Sequence, residues 1–390
     1  MPEAARPLAL AAPLLLLLIF SFAAPIVALL SRAVYEPTIA NTLPQTAVAL
    51  NQWSGVGSPD ESVFRAFASD LKAAQTAGIV YEFAKSLNAR LPGSRSQALR
   101  IARNAAQNPT MSKDQMIQAV PFLGQETTWS TIRAGTNRFT TFYLLSAFDL
   151  HWTAQGAIGP VPPGEAVFVR VFVRTFMISA TVTLATLLLG FPLAYLIVNL
   201  RPAQAGVVLV LVLLPFWTSI LVRTAAWTVI LQKYGLLNDL LLWLGLTSER
   251  QELMYSRTGL IIAMTHIQLP FTLLPIYSVM RTIQPSQLRA AQSLGARPFT
   301  AFRRVYLPQA LPGVLAGCLL TFILCLGYYI TPALIGGASD QLISNFIANY
   351  VNVDLNWEMA AALSFVLLAF TLGLYVTMTR YLGLDLFKMG

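Results

Sequence analysis

Residues 288–313 read LRAAQSLGARPFTAFRRVYLPQALPG, a basic, amphipathic stretch set between two long apolar runs. Pro285 and Ser286 are placed to open a short helix, and Gly295 to close it in the left-handed conformation glycine tolerates. Pro298 starts a second helix and Pro308 is placed to end it. Leu288, Ala291, Phe299, Phe302 and Val305 or Tyr306 recur at roughly helical spacing, while Arg289, Arg297, Arg303 and Arg304 project elsewhere. The expectation is two stubby helices with one apolar and one cationic side, a rigid knob at a membrane surface that another protein can grip.

Composition puts the knob in a membrane protein. The chain has 390 residues, is 56% hydrophobic and 11% charged, and has a mean hydropathy of +0.61. So few charges do not cover a globule of this length. Apolar runs at 8–30, 167–200, 206–231, 258–280, 313–334 and 359–382 are each long enough to span a hydrocarbon layer of ~30 Å. The first is read as a retained anchor that Pro13 and Pro25 can kink. The net charge of +9 suits membrane orientation and anionic headgroups, and nucleic acid is not expected as a partner. Cys318 and Cys325 sit in one apolar run, about 10 Å apart along a helix, too far for a mutual disulfide.

Residues 35–165 differ in character: polar, with scattered charges of both signs and helical periodicity. Ser58 to Glu61 is a helix start, followed by Val63, Phe67, Leu71 and Ala74 on one face. Ile79, Phe83 and Leu87 line another helix, Ser112 can cap a further one, and 127–134 and 139–150 suggest two more. The Gly- and Pro-rich stretch 155–164 reads as a connector back to the membrane. The division expected is thus an N-terminal span at 1–34, an inserted helical domain at 35–165 and a five-span core at 166–390.

With six spans, both termini and the arginine-rich loop 281–304 fall on one side, which the positive-inside rule makes cytoplasmic. Arg223 and His266 lie well inside apolar runs, with Trp217 and Trp227 on either side of Arg223. An intramembrane arginine is costly unless it pairs or faces water, so these four residues are candidates for a solute pathway, with structural pairing and interface anchoring as the plain alternatives. Tyr328, Tyr329, Asp340, Asp354 and Glu358 cluster in sequence near the outer ends of the last two spans, where acidic and aromatic groups would suit a polycation. His266 has no second suitable ligand nearby, so no metal site is expected. No GxxxxGK[ST] phosphate loop, HExxH motif or catalytic triad occurs, so neither ATP binding nor any enzyme site is expected on this chain.

Arg289-Ala290-Ala291, three residues, Gly295, nine residues, then Val305-Tyr306-Leu307-Pro308 resembles the EAA loop of permease subunits of binding-protein-dependent ABC importers. It departs from that pattern at Arg289, which stands where glutamate is usual. RTFMISATVTL at 174–184, GFPLAY at 190–195, LLPFWTSILVRTAAW at 213–227, GYYITPALIGG at 327–337 and Asn356-Trp357 extend the resemblance to PotB-type polyamine permeases. It covers about 167–382 and leaves the insertion outside.

The resemblance implies an all-α fold, the six-helix arrangement of type I ABC importers with a helical periplasmic insertion, in a bacterial inner membrane. It implies an ATPase-coupling surface of Arg289, Ala290, Ala291, Gly295, Ala296, Arg297, Phe302, Arg303 and Arg304. It also implies partners: a second, PotC-like permease, two cytoplasmic ATPases carrying ATP and Mg, and a periplasmic solute-binding protein. The implied cargo is spermidine, putrescine or related amines and amino-acid-like solutes. Two other classes compete: an ion-coupled secondary transporter, and a membrane receptor with an outer domain. The first would more often show internal repeats and an acid at mid-membrane, which the sequence lacks; the second has no use for the knob.

Overall fold

A computed structural model describes residues 5–108, 110–153 and 157–382. The chain divides into two compact units, Met1–Ala166 with Asn356–Phe365, and Val167–Leu355 with Val366–Gly390.

The first unit begins with an apolar helix, α1 (Ala11–Ser31), interrupted by a π-helical turn at Ile19–Ala23. Pro25 follows the turn; it brings no N–H to the helical ladder, and the wider turn absorbs the missing bond. Short helices come next: α2 (Thr38–Thr42), α3 (Pro44–Leu50), α4 (Glu61–Thr76), α5 (Val80–Arg90), α6 (Arg95–Gln107), α7 (Lys113–Ala119), α8 (Glu126–Gly135) and α9 (Phe142–Ala147). Their apolar faces meet in one core. Phe64 and Phe67 lie edge-on to Trp129, at centroid distances of 4.8 and 5.3 Å, and Trp129 Nε1 donates to Leu123 O.

Buried polar groups tie the elements of this unit. Asp70 accepts from Thr46 N and Thr46 Oγ1, each at 2.7 Å, and so caps the start of α3. Glu36 accepts from Arg90 at 2.6 Å and from Ser86 Oγ at 2.7 Å, with both charged side chains buried. Burial and the Glu36 carboxylate push the Tyr143 phenol well above its usual range, so it stays protonated. Ser112 forms a full capping box with Gln115 at the start of α7. Of the expected connector 155–164, residues 155 and 156 lie outside the described ones. Beyond them, β2 (Ile158–Pro160) pairs antiparallel with β1 (Leu150–Trp152), so the sequence expectation of a helix up to 150 gives way to a small hairpin.

The second unit is a helical bundle. It contains α10 (Phe168–Asn199), α11 (Pro202–Leu213), α12 (Ile220–Ile230), α13 (Leu236–Trp243), α14 (Arg257–Thr282), α15 (Pro285–Ser293), α16 (Pro298–Ala301), α17 (Leu307–Leu326), α18 (Ile330–Ile335) and α19 (Ile343–Asn352). α20 (Trp357–Leu382) contributes residues to both units. Among the described residues five helices are long and apolar enough to cross a membrane, or six if the bent pair Pro202–Trp217 and Ile220–Ile230 counts as one span.

That pair replaces the continuous span expected at 206–231. It bends by 102°. Leu214–Trp217 tightens into a 3-10 turn, Thr218 and Ser219 are extended, and Ser219 Oγ accepts from Val222 N to start α12. Hydropathy measures length and apolarity; a stop at Pro215 and a restart at Ser219 are capping events, to which it is blind.

α10, α14 and α17 pack closely at the centre. Gly313 and Gly317 of α17 press on α14: a Cβ at Gly317 would stand 2.5 Å from Thr272 O, and one at Gly313 2.8 Å from Pro275 O. This is the close approach that a small-xxx-small pair permits. Beside it, Thr272 Oγ1 donates to Thr186 Oγ1 at 2.8 Å and lies 2.6 Å from Thr321 Oγ1, so one buried hydroxyl chain joins all three helices.

Candidate functional site

The knob is built by local stereochemistry. Pro285 occupies the first turn of α15. The helix ends with Gly295 at φ +89°, Gly295 N donating to Gln292 O at 2.9 Å and Ala296 N to Ala291 O at 3.1 Å. These two bonds form a Schellman motif, closed by a residue for which a Cβ is penalised. Arg297 is extended and Pro298 opens α16. The expected stop at Pro308 does not occur. A π-helical turn at Phe302–Tyr306 carries the chain into α17, and Pro308 follows it, the wider turn accommodating the N–H that proline lacks. The second half of the knob and the central helix are therefore one continuous rod, Pro298–Leu326. At its far end α17 stops at Gly327 and α18 is separate, which corrects the expected run 313–334.

The knob's inner face is welded to the bundle. Phe302 and Tyr306 stack at 5.5 Å, and Tyr195 of α10 meets both edge-on at 5.7 and 5.4 Å. Leu288 joins the same cluster, with Ala194 and Ile197 of α10 and Ile276 and Met280 of α14. Phe299, grouped with this face by spacing alone, points away. It is 73% exposed, and Leu294 at the turn is 90% exposed. Around them Arg289, Arg297, Arg303 and Arg304 are all exposed and make no ion pair among the described residues. Ala290 and Gly295 are exposed, and Ala291 and Ala296 half-buried. The outer face is thus a cationic patch with two apolar tips, grown from the end of a rigid rod. Spacing did not single out the tips, because exposure depends on which side of the turn the bundle occupies.

At the opposite ends of these helices a second set of contacts closes the bundle. Arg174 of α10 donates to the carbonyls of Ser339 and Gln341, and Arg257 Nε donates to Asp340 Oδ1 at 2.8 Å. Ile343 N donates to Thr175 Oγ1 at 2.9 Å. Asp340 is 4% exposed. Its carboxylate is spent on holding the loop, which corrects its sequence reading as an acid open to a polycation.

The pathway candidates are distributed as follows. Trp227 Nε1 donates to His266 Nδ1 at 3.1 Å, joining α12 to α14; the neutral imidazole then carries its proton on Nε2. Arg223 stands one turn before Trp227, half-buried, with no hydrogen bond or ion pair among the described residues. Next to it Thr224 Oγ1 lies 3.1 Å from Thr331 Oγ1 of α18. Tyr328 is half-buried and Tyr329 exposed; their carbonyls accept from Ser344 Oγ and Asn345 Nδ2. Trp217 is exposed at the bend. Asp354 is exposed after α19, and Glu358 lies in the first unit, 3.7 Å from Arg32. So α12, α14 and the segment after α17 supply a polar set within the second unit.

Residues 166–385 match the family described as binding-protein-dependent transport system inner membrane component. The chain is 33% identical over 219 residues to the spermidine/putrescine transport system permease protein PotB of Haemophilus influenzae, covering 55% of this chain and 77% of that protein. It is 33% identical over 225 residues to the inner membrane ABC transporter permease protein YdcU of Escherichia coli, covering 55% and 71%. A crystal structure of a bacterial alginate ABC transporter aligns at a TM-score of 0.44 with 21% identity, over 55% of this chain and 79% of that one. The matched family region begins where the first unit's N-terminal part ends, and it includes the knob, the bundle and the polar set. The chain belongs to the inner-membrane components of binding-protein-dependent transport systems and is a multi-pass, PotB-type permease of the ABC importers.

Proposed function

We propose that this permease carries polyamines, spermidine or putrescine, or related small amines and amino-acid-like solutes, driven by ATPase subunits that grip residues 288–308. The observation that carries the reading is the continuous rod. An exposed patch of Leu294, Phe299 and four arginines without an ion pair among the described residues is rooted through Phe302 and Tyr306 in α10 and α14, so a push on the patch becomes a displacement of the pathway helices. In this reading the patch and both termini are cytoplasmic, and residues 35–165 form a periplasmic domain, as the basic loops require. A second, PotC-like permease completes the pathway. Two ATPases supply ATP and Mg, and a periplasmic binding protein delivers the solute. Arg289, in the place of the usual glutamate, keeps the patch uniformly cationic, so the ATPase groove that receives it should be acidic there.

The polar set of Arg223, Trp227, His266, Tyr328 and Tyr329 is the proposed pathway lining. Its aromatics suit an amine, by cation–π attraction. Arg223, without an ion partner among the described residues, favours a second reading in which the solute also carries a carboxylate. The test is reconstitution of the chain with its partner subunits in proteoliposomes, measuring ATP-dependent uptake of labelled spermidine, putrescine and a panel of amino acids. Uptake that follows an ion gradient and ignores ATP would sink the reading.

A further inference from the structure

In the first unit, residues 83–113 contain Lys85, Arg90, Arg95, Arg100, Arg103 and Lys113 but no Asp or Glu. The fold uses most of these charges. Arg90 is buried against Glu36, and Lys85 lies 4.0 Å from Glu82. Arg95 covers the Tyr81 ring at 4.7 Å. Lys113 Nζ donates to Pro59 O at 2.7 Å. Arg100 and Arg103 remain. Both are exposed on α6, three residues apart and so on one face. Arg103 bonds only its own helix, Nε to Leu99 O at 3.3 Å, and Arg100 has no hydrogen bond or ion pair among the described residues.

These two arginines line an open groove of about 680 Å³, with Ser96 and Gln97 one turn earlier and Pro121, Phe122 and Gln125 as the facing wall. Among the described residues no carboxylate lines it. The opposite face of α6, Ala98, Ile101, Ala102 and Ala105, is fully buried, so the guanidinium groups stand on a fixed element. Two like charges on adjacent turns repel each other, and an anion between them relieves that repulsion.

We propose that this groove docks an acidic segment of another protein, its carboxylates paired with Arg100 and Arg103. A planar guanidinium binds a carboxylate through two parallel hydrogen bonds, and Gln97 and Gln125 offer amides to a peptide backbone beside it. Pro121 and Phe122 in the wall, and a volume larger than one small anion fills, favour a peptide over free phosphate or a lipid headgroup. Within the importer reading, on which this identification of the source rests, the solute-binding protein is the chain that would present the segment.

The test uses the full chain in nanodiscs of phosphatidylcholine, with a fluorescein-labelled hexaglutamate peptide followed by anisotropy at low and high salt. Wild type is expected to bind, more weakly as salt rises. Arg100→Glu with Arg103→Glu should lower affinity roughly tenfold or more, and the double Gln variant by less. Arg65→Glu, an exposed charge reversal on α4 outside the groove, should leave affinity within about twofold. No binding by wild type overturns the proposal, as does equal loss in Arg65→Glu. Displacement by inorganic phosphate at matched charge overturns it in favour of a simple anion site. Groove-dependent binding to phosphatidylglycerol vesicles without peptide binding overturns it in favour of a lipid surface. Binding is read without ATPases or nucleotide, so failed ATP-driven uptake alongside intact peptide binding counts against the importer reading alone.

Discussion

Gly317→Ala tests how the bundle is held. The added Cβ would lie 2.5 Å from Thr272 O and 3.3 Å from Thr272 Cα, whereas ordinary contact begins at 3.4 Å. The obstructing atom is main chain and cannot rotate aside. α17 and α14 must therefore part by about 0.9 Å, the difference between 3.4 and 2.5 Å. Overpacking of a close-packed interior costs about 1–3 kcal/mol. The same displacement stretches the Thr272–Thr321 contact from 2.6 Å to the edge of hydrogen-bond range. An interhelical hydrogen bond in a membrane contributes about 0.6 and at most about 1.7 kcal/mol. The expected destabilisation is about 2–4 kcal/mol. It is read from SDS unfolding of the purified chain in detergent micelles by tryptophan fluorescence. Gly206→Ala is the control: that helical position has nothing within 4 Å, so alanine there should be neutral or slightly stabilising. If both variants unfold alike, the interhelical contact is not what holds α17 to α14, and the argument for a rigid rod falls with it.

At the knob, Gly295→Asp forces a side chain into φ +89° at a cost of about 1–2 kcal/mol and re-aims α16; it should insert normally yet abolish uptake, and normal transport would refute the coupling role. Leu294→Glu leaves the fold intact, since the residue is 90% exposed, and should prevent co-purification of the ATPases; retention of them on an affinity column would show that the tip is not gripped. Asp340→Asn removes a 2.8 Å charge-assisted bond to Arg257 and should cost about 1–3 kcal/mol, with faster amide exchange confined to 336–342. In the first unit, Glu36→Ala leaves Arg90 charged and buried, which should destabilise that unit by about 3–5 kcal/mol in thermal melts, while Glu82→Ala on its exposed surface should do almost nothing.

How much of this was legible in the chain depends on the range of the physics involved. The knob's turns could be read directly, because Pro285, Gly295 and Pro298 restrict their own φ values whatever surrounds them. Most spans could be read as well, since transfer to lipid sums over local residues. α6 was not legible: its buried face is mostly alanine, too weak a signal against its arginines and polar residues, although the fold packs it completely. The partners of the carboxylates were not legible either. Asp340 and Glu358 are near each other in sequence, yet one is taken by Arg257 and the other faces Arg32, partners separated by 83 residues or more.

The sequence by itself determined that this chain lies in a membrane, where it turns sharply, and that one turn is a cationic knob. Those properties follow from hydropathy and backbone sterics, which act over a few residues. Only the tertiary structure decided that the third apolar run breaks by 102°, that three threonines join the central helices, and which knob residues face the bundle and which face outward. Each of those depends on pairing between groups distant in the chain, and no local window contains both partners.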